Sequence, residues 1–187
     1  MIADEPLPGY LGDVVFLVDS SSQLSSDDFS KEKQFVKTLA RDLGVPSETS
    51  RTAVVMYDSL MRTPVRFETV KDFLTFTQTL DSQQQIGGGR RMDRALESAA
   101  TVVQKGRPSV AILITGGGSD PGAKSLDEAV KPLIAKGAKT FAVVIGPTSL
   151  VSEVAPSVED PQNIFQVQSF NELTSKSKSI ASSVVGT

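Results

Sequence analysis

The chain of 187 residues contains no histidine and no cysteine. Without histidine it lacks the side chain that titrates nearest neutrality, the commonest transition-metal ligand and any Ser-His-Asp arrangement. Without cysteine it lacks thiol nucleophiles, thiolate zinc sites and disulfides, and compartment cannot be read from redox logic. Basic residues are also in slight deficit, 19 Lys and Arg against 22 Asp and Glu, for a net charge of -3. No Lys/Arg stripe forms, so no nucleic-acid partner is expected. Apolar runs such as Val14–Val18 fall far short of the ~20 residues needed to cross a bilayer, so no membrane insertion is expected. The start, Met1-Ile2-Ala3-Asp4-Glu5, is acidic and has no hydrophobic stretch, which reads as a fragment boundary rather than a targeting segment. Carboxylates, hydroxyls, Lys and Arg are what remain for chemistry. They suit a hard-cation site better than a catalyst.

What is present describes an ordinary folded domain, 39% hydrophobic and 22% charged. The expectation is one domain over residues 13–187 behind a linker of residues 1–12 that contains Pro6, Pro8 and Gly9. Val14-Val15-Phe16-Leu17-Val18 is apolar on both faces and reads as a central parallel strand, Asp13–Asp19. A helix is expected near Asp27–Leu43, with Phe29, Val36, Leu39, Ala40 and Leu43 on one face. Asp27 and Asp28 sit in its first turn and Gly44 just past its end. Arg51–Tyr57 is the second strand, and Thr63–Phe67, carrying Pro64, is a short edge strand joined by a hairpin.

A short helix over Val70–Leu80 and a longer one over Arg91–Lys105 follow, then a buried strand Val110–Thr115. Ser125-Leu126-Asp127-Glu128 reads as a capping box for a helix that closes at Lys136-Gly137, with Pro132 predicting a kink. Phe141–Ile145 and Ile164–Val167 are the last strands, and Asn171–Val185 the last helix. This alternation predicts an α/β fold, a mostly parallel sheet covered on both faces.

At the C-terminal end of the first strand stand Asp19-Ser20-Ser21-Ser22-Gln23, where open α/β sheets place their ligands. Together with Arg51–Asp58, Ile86-Gly87-Gly88-Gly89, Ile112–Thr115 and Phe141–Gly146, this loop resembles the von Willebrand factor type A domain. The resemblance covers residues 13–185 and implies a doubly wound, Rossmann-like open sheet of five parallel strands plus one antiparallel edge strand. The edge strand Thr63–Phe67 would lead, followed by the Arg51, Asp13, Val110, Phe141 and Ile164 strands. It also implies an extracellular adhesion module of the collagen-associated, matrilin-like or integrin-inserted kind, a domain that is itself monomeric.

In that family a divalent cation is held by an Asp and two Ser of the first loop, a Thr of the second and an Asp after the fourth strand. A ligand carboxylate completes the shell. Here Asp19 and Ser21 match. Gln23 replaces the second Ser, Arg90 the Thr and Gly116 the last Asp, while Met92 takes the family's next Thr. The degenerate site implies no bound cofactor, with Mg²⁺ the ion a rearranged site would take. Asp93 and Asp120 are the carboxylates near enough in sequence to substitute. A buried Asp19 without a cation needs another partner, and the guanidinium of Arg90, or failing it Arg91, is suited to a carboxylate.

The glycine triplets 87–89 and 116–118 lack a Walker or dinucleotide continuation and read as tight turns. Arg90, Arg91, Arg94 and Asp120 form a candidate rim for an acidic partner, the alternative being a solvated helix start. Three function classes follow. The first is a secreted, metal-independent module binding collagen or another matrix protein, alongside other domains of its own chain. The second is a metal-dependent adhesive domain using a site built on Asp19 and Ser21. The third, an enzyme, lacks a nucleophile-base pair and a cofactor fingerprint and is not expected.

Overall fold

Seven residues of β1, Asp13–Asp19, are all buried and form the middle of a six-stranded sheet in this computed structural model, which describes residues 9–187. The linker assigned to residues 1–12 therefore lies outside the described residues up to residue 8. Alternation of side chains along β1 splits the interior in two. Val14, Phe16 and Val18 point into one core with α1 (Ser26–Leu43), α2 (Phe73–Asp81) and α6 (Ser177–Val185). Val15 and Leu17 point into the other, with α3 (Met92–Val102), α4 (Leu126–Ala135) and α5 (Thr148–Val154). A strand with helices on both sides must be apolar on both faces, which is why β1 does not alternate polar and apolar.

The strands are β2 (Arg51–Tyr57), β3 (Arg62–Val65), β4 (Ser109–Thr115), β5 (Lys139–Ile145) and β6 (Ile164–Val167), in the order β3-β2-β1-β4-β5-β6. All neighbours are parallel except β2 and β3, which are antiparallel. This is the expected order, with Pro64 on the edge strand where its missing N–H costs nothing. The expected stops and caps are present: Ser125 accepts from Glu128 N–H at 3.3 Å, and Gly44 closes α1 in the left-handed conformation. Ser25, which the sequence reading did not single out, caps α1 by accepting from Asp28 N–H at 3.1 Å. Among the described residues no helix is long and apolar enough to cross a membrane.

Several elements depart from expectation: α2 begins at Phe73 rather than Val70, and α3 ends at Val102 rather than Lys105. The edge strand is Arg62–Val65, so Phe67 lies beyond it and packs beneath Arg51, whose guanidinium carbon is 4.6 Å from the ring centre. The expected helix over Asn171–Val185 begins as two 3-10 turns, Phe170–Glu172 and Thr174–Lys176, before α6. There the Ser175 hydroxyl donates to the Glu172 carbonyl, the local bonding by which Ser competes with a regular helix. Helix α5 was not anticipated, because its seven residues, TSLVSEV, are too few to show a period.

At the N-terminal edge of the sheet, buried Asp13 takes two forks. Arg51 Nε and Nη2 donate at 2.8 and 2.6 Å, and Arg107 Nε and Nη2 each at 3.1 Å. Burial alone would raise the Asp13 pKa, but the hydrogen bonds and charges of Arg51 and Arg107 outweigh it and hold the carboxyl below its usual range.

Candidate functional site

The C-terminal ends of β1 and β2 and the loops after residues 85 and 115 meet around Asp19. Its side chain is 1% exposed, and that of Arg90 6%. Arg90 Nε donates to Asp19 Oδ2 at 2.7 Å, and the backbone N–H of Ser21 donates to Oδ1 at 2.8 Å. Arg90 Nη1 donates to Gln23 Oε1 at 3.1 Å. Gln23 Nε2 in turn donates to Asp120 Oδ1 at 2.7 Å, and Asp120 Oδ2 accepts the backbone N–H of Arg90 at 2.9 Å. Residues far apart in sequence thus close a ring of charge-assisted bonds, which shields each buried charge at the cost of fixing every member.

The floor of this ring was invisible to sequence reasoning. Glu32, on the core face of α1, is fully buried and accepts the backbone N–H of Asp19 through Oε1 at 2.8 Å. Burial, and then the neighbouring Asp19 charge, push its pKa well above the ordinary value. Asp19 and Arg90 pair directly above a buried carboxyl group. Tyr57, also fully buried, donates its hydroxyl to the Ile114 carbonyl, and burial raises its pKa as well. A charged residue at the i+3 position after Phe29, inside an apolar stripe, was the signal that could have found Glu32.

The surroundings are shaped to the arginine. A Cβ on Gly117 would overlap the Arg90 guanidinium, so only glycine leaves room for it there. At Gly116 a Cβ would stand 3.0 Å from the Phe170 ring, which takes the space a longer side chain at that position would need. Phe170 lies on the loop after β6 and carried no sequence signal.

These contacts decide what the residues fit. A hard divalent cation wants about six oxygens at ~2.1 Å. Both Asp19 oxygens are engaged, Gln23 is held between Arg90 and Asp120, and Gly116 has no side chain to offer. Asp93 does not substitute: it is bound by Arg91 Nε and Nη2 at 2.9 and 2.6 Å and by Lys124 N–H at 2.9 Å. Burial raises the Asp93 pKa, yet Arg91 and those backbone bonds bring it down to about 2. At this site Ser21 Oγ and Glu32 Oε2 are buried without a partner. Among the described residues no three His, Cys, Asp or Glu side chains are placed to hold a metal ion. The donor set does not fit a divalent cation of the family type.

One expectation needs correction. Arg90 was placed on the candidate partner-binding rim, but its guanidinium is turned inward on Asp19 and is not an accessible contact. Arg91 is partly exposed above Asp93, Arg94 is exposed, and Asp120 is half-buried in the ring.

The family model for the von Willebrand factor type A domain matches residues 13–178. The chain belongs to the von Willebrand factor type A family. Cuticlin-6 of Caenorhabditis elegans is 28% identical over 86% of this chain and 28% of its own length. The collagen alpha-4(VI) chain of Mus musculus is 24% identical over 92% of this chain and 8% of its own. This chain therefore spans well under half of either relative. Proximal thread matrix protein 1 of the mussel byssus shares the fold at a TM-score of 0.84 and 20% identity, over 92% of this chain and 48% of that one. A further structure of that mussel protein has a zinc-occupied metal-ion-dependent adhesion site, at a TM-score of 0.80 and 21% identity. At such identity the likeness is one of type A fold only, and the mussel protein's zinc is a property of the mussel protein.

Proposed function

We propose that residues 13–187 form a non-enzymatic, protein-binding type A domain of a larger secreted matrix or adhesion protein. It engages collagen or another matrix protein without a divalent cation. The relatives among collagen and cuticle proteins support the setting. The single observation supporting metal independence is the Arg90–Asp19 pair, 2.7 Å long and sealed from solvent. A guanidinium is a permanent charge, so the position does not load and unload as a metal site does. The rim is thereby held in one arrangement, with no ion to be completed by a ligand carboxylate.

A second reading, a cation bound beside Asp19 and Ser21 after Arg90 swings out, is favoured by the unpartnered Ser21 hydroxyl and Glu32 Oε2. Binding of the chain to immobilised fibrillar collagen and to collagen VI, in EDTA and in millimolar Mg²⁺ or Mn²⁺, separates the two. Equal binding in all three conditions is expected. Binding abolished by EDTA and restored by the cations would install the second reading.

A further inference from the structure

Beside the ring, toward the edge strand, two large apolar side chains face solvent on adjoining loops: Leu60 is 64% exposed and Ile86 45%. Their loops are stitched together. Ser59 N–H donates to the Gly87 carbonyl at 3.0 Å, and Gly88 adopts φ +94° with its Cα against Ser59, where a Cβ would overlap that residue. The hairpin tip is itself clamped. Asp58 Oδ1 accepts the N–H groups of Leu60 and Met61 at 2.8 and 3.0 Å, and Met61 is held at φ 50°.

Arg62 fastens tip to loop. It donates to Asp58 Oδ2 from Nε and Nη2 at 3.0 and 2.8 Å, to Gln83 Oε1 at 3.0 Å and to the Gln84 carbonyl at 3.0 Å. Ser20 Oγ takes a further bond from Arg62 at 3.3 Å and accepts Ile86 N–H at 3.1 Å. Two exposed apolar side chains on so fixed a backbone lose little freedom when a partner covers them.

The charge around them is mostly basic at the surface. Asp58 and Asp93 are buried beneath Arg62 and Arg91, whose side chains are 21% and 28% exposed, while Asp120 beside Gly89 is half-buried. Arg91 lies three residues past Gly88, so within about 10 Å of it along the chain, and Arg94 follows one helical turn later. Among the described residues Arg94 has no ion-pair partner. The protein is negative overall, yet this corner offers guanidinium to a ligand.

Building on the metal-independent reading above, we propose that Leu60 and Ile86 form the docking point for an acidic protein segment bearing a bulky apolar side chain. Its carboxylates pair with Arg94 and the exposed edge of Arg91. Carboxylate recognition then passes from a cation to arginine, and moves from Asp19 to the hairpin beside it. The exposed apolar pair favours a polypeptide over an acidic polysaccharide, which has no large side chain to bury.

The test uses the isotopically labelled chain in EDTA and three synthetic peptides. One has the pattern Glu-Glu-Leu-Phe-Glu-Glu, one has Gln for every Glu, and one has Ser for Leu and Phe. The first should shift the amides of residues 59–62 and 84–88, and bind about tenfold or more tighter than the other two, the scale of one buried side chain or ion pair. Leu60→Ser and Ile86→Ser, both at exposed positions, should each weaken it about tenfold while leaving the remaining amide spectrum unchanged. Absence of shifts at millimolar peptide, equal affinity for all three peptides, or unchanged affinity in both variants would overturn the proposal. Shifts on another surface in EDTA would overturn it while leaving metal-independent binding intact. Shifts that appear only with Mg²⁺ would overturn both.

Discussion

Strand β1 carries an aspartate at each end, and the two solve one problem differently. Asp13 and Asp19 are both buried, and an unpaired carboxylate in either place would cost several kcal/mol. Asp13 is over-supplied: two forked guanidinia reach it, and those side chains are 25% and 42% exposed. Asp19 has a single guanidinium, through one nitrogen, with a backbone N–H on its other oxygen and buried Glu32 beneath. Redundancy and water make the Asp13 end forgiving. The Asp19 end has no second cation and little access for water, so everything rests on Arg90. The C-terminal strand end, where open α/β sheets place ligands, is thus the end with least tolerance.

The largest effect should come from Arg90→Thr. Leaving Asp19 buried and uncompensated should cost about 3–5 kcal/mol in urea unfolding, the range for breaking one partner of a buried pair. Adding Asp19→Asn to that variant should restore a large part of the loss. A cost below about 1 kcal/mol, the scale of a surface pair, would erase the difference between the two ends.

Next come Arg51→Ala and Arg107→Ala. Each leaves Asp13 with one fork, so each should cost about 1 kcal/mol, as for a hydrogen bond with a charged partner retained nearby. The double variant should lose more than the sum, because only then is Asp13 unpaired, and a double-mutant cycle reads that coupling directly. Strict additivity would mean that the two arginines do not back each other up.

A smaller effect concerns acid. Asp13 and Asp93 have folded pKa values below their unfolded ones, Asp93 at about 2. Their contribution is fully present above the unfolded value of about 3.9 and is lost as pH falls through the folded values. Stability should therefore decline from about pH 4 toward pH 2, and Asp13→Asn should flatten that decline. An unaltered slope in the variant would remove Asp13 from the account. The smallest expected effect is none: thermal melts in EDTA, Mg²⁺ and Mn²⁺ should coincide, since a ligand stabilises only what it binds. A cation-dependent rise in Tm would break the contrast by making Asp19 a metal site after all.

Local pattern carried much of the architecture. The runs at 14–18 and 110–115, the Ser25 and Ser125 caps, Gly44 and the Pro64 edge strand all express rules that act within a few residues. Strand order came from family resemblance, because periodicity says that a strand is buried but not which strand lies beside it. The partial loss of the metal ligands was likewise legible at Gln23, Arg90 and Gly116. Helix α5 and the broken start of the last helix were not, being too short or too rich in Ser and Thr to show a period.

By itself the sequence determined the kit: no histidine or cysteine, a surviving Asp19 and Ser21, and arginines at 62, 90, 91 and 94. Tertiary structure decided how the kit was used. Arg90 turned inward while Arg91 went to Asp93 and Arg62 to Asp58. Glu32 came beneath Asp19, Asp120 bonded Gln23 and Arg90, Phe170 filled the space beside Gly116, and Leu60 and Ile86 were left in solvent on adjoining loops. The physical reason is range. Propensity, capping and periodicity act over a few residues, whereas the partner of a buried charge is chosen by which segments the sheet order brings within about 3 Å.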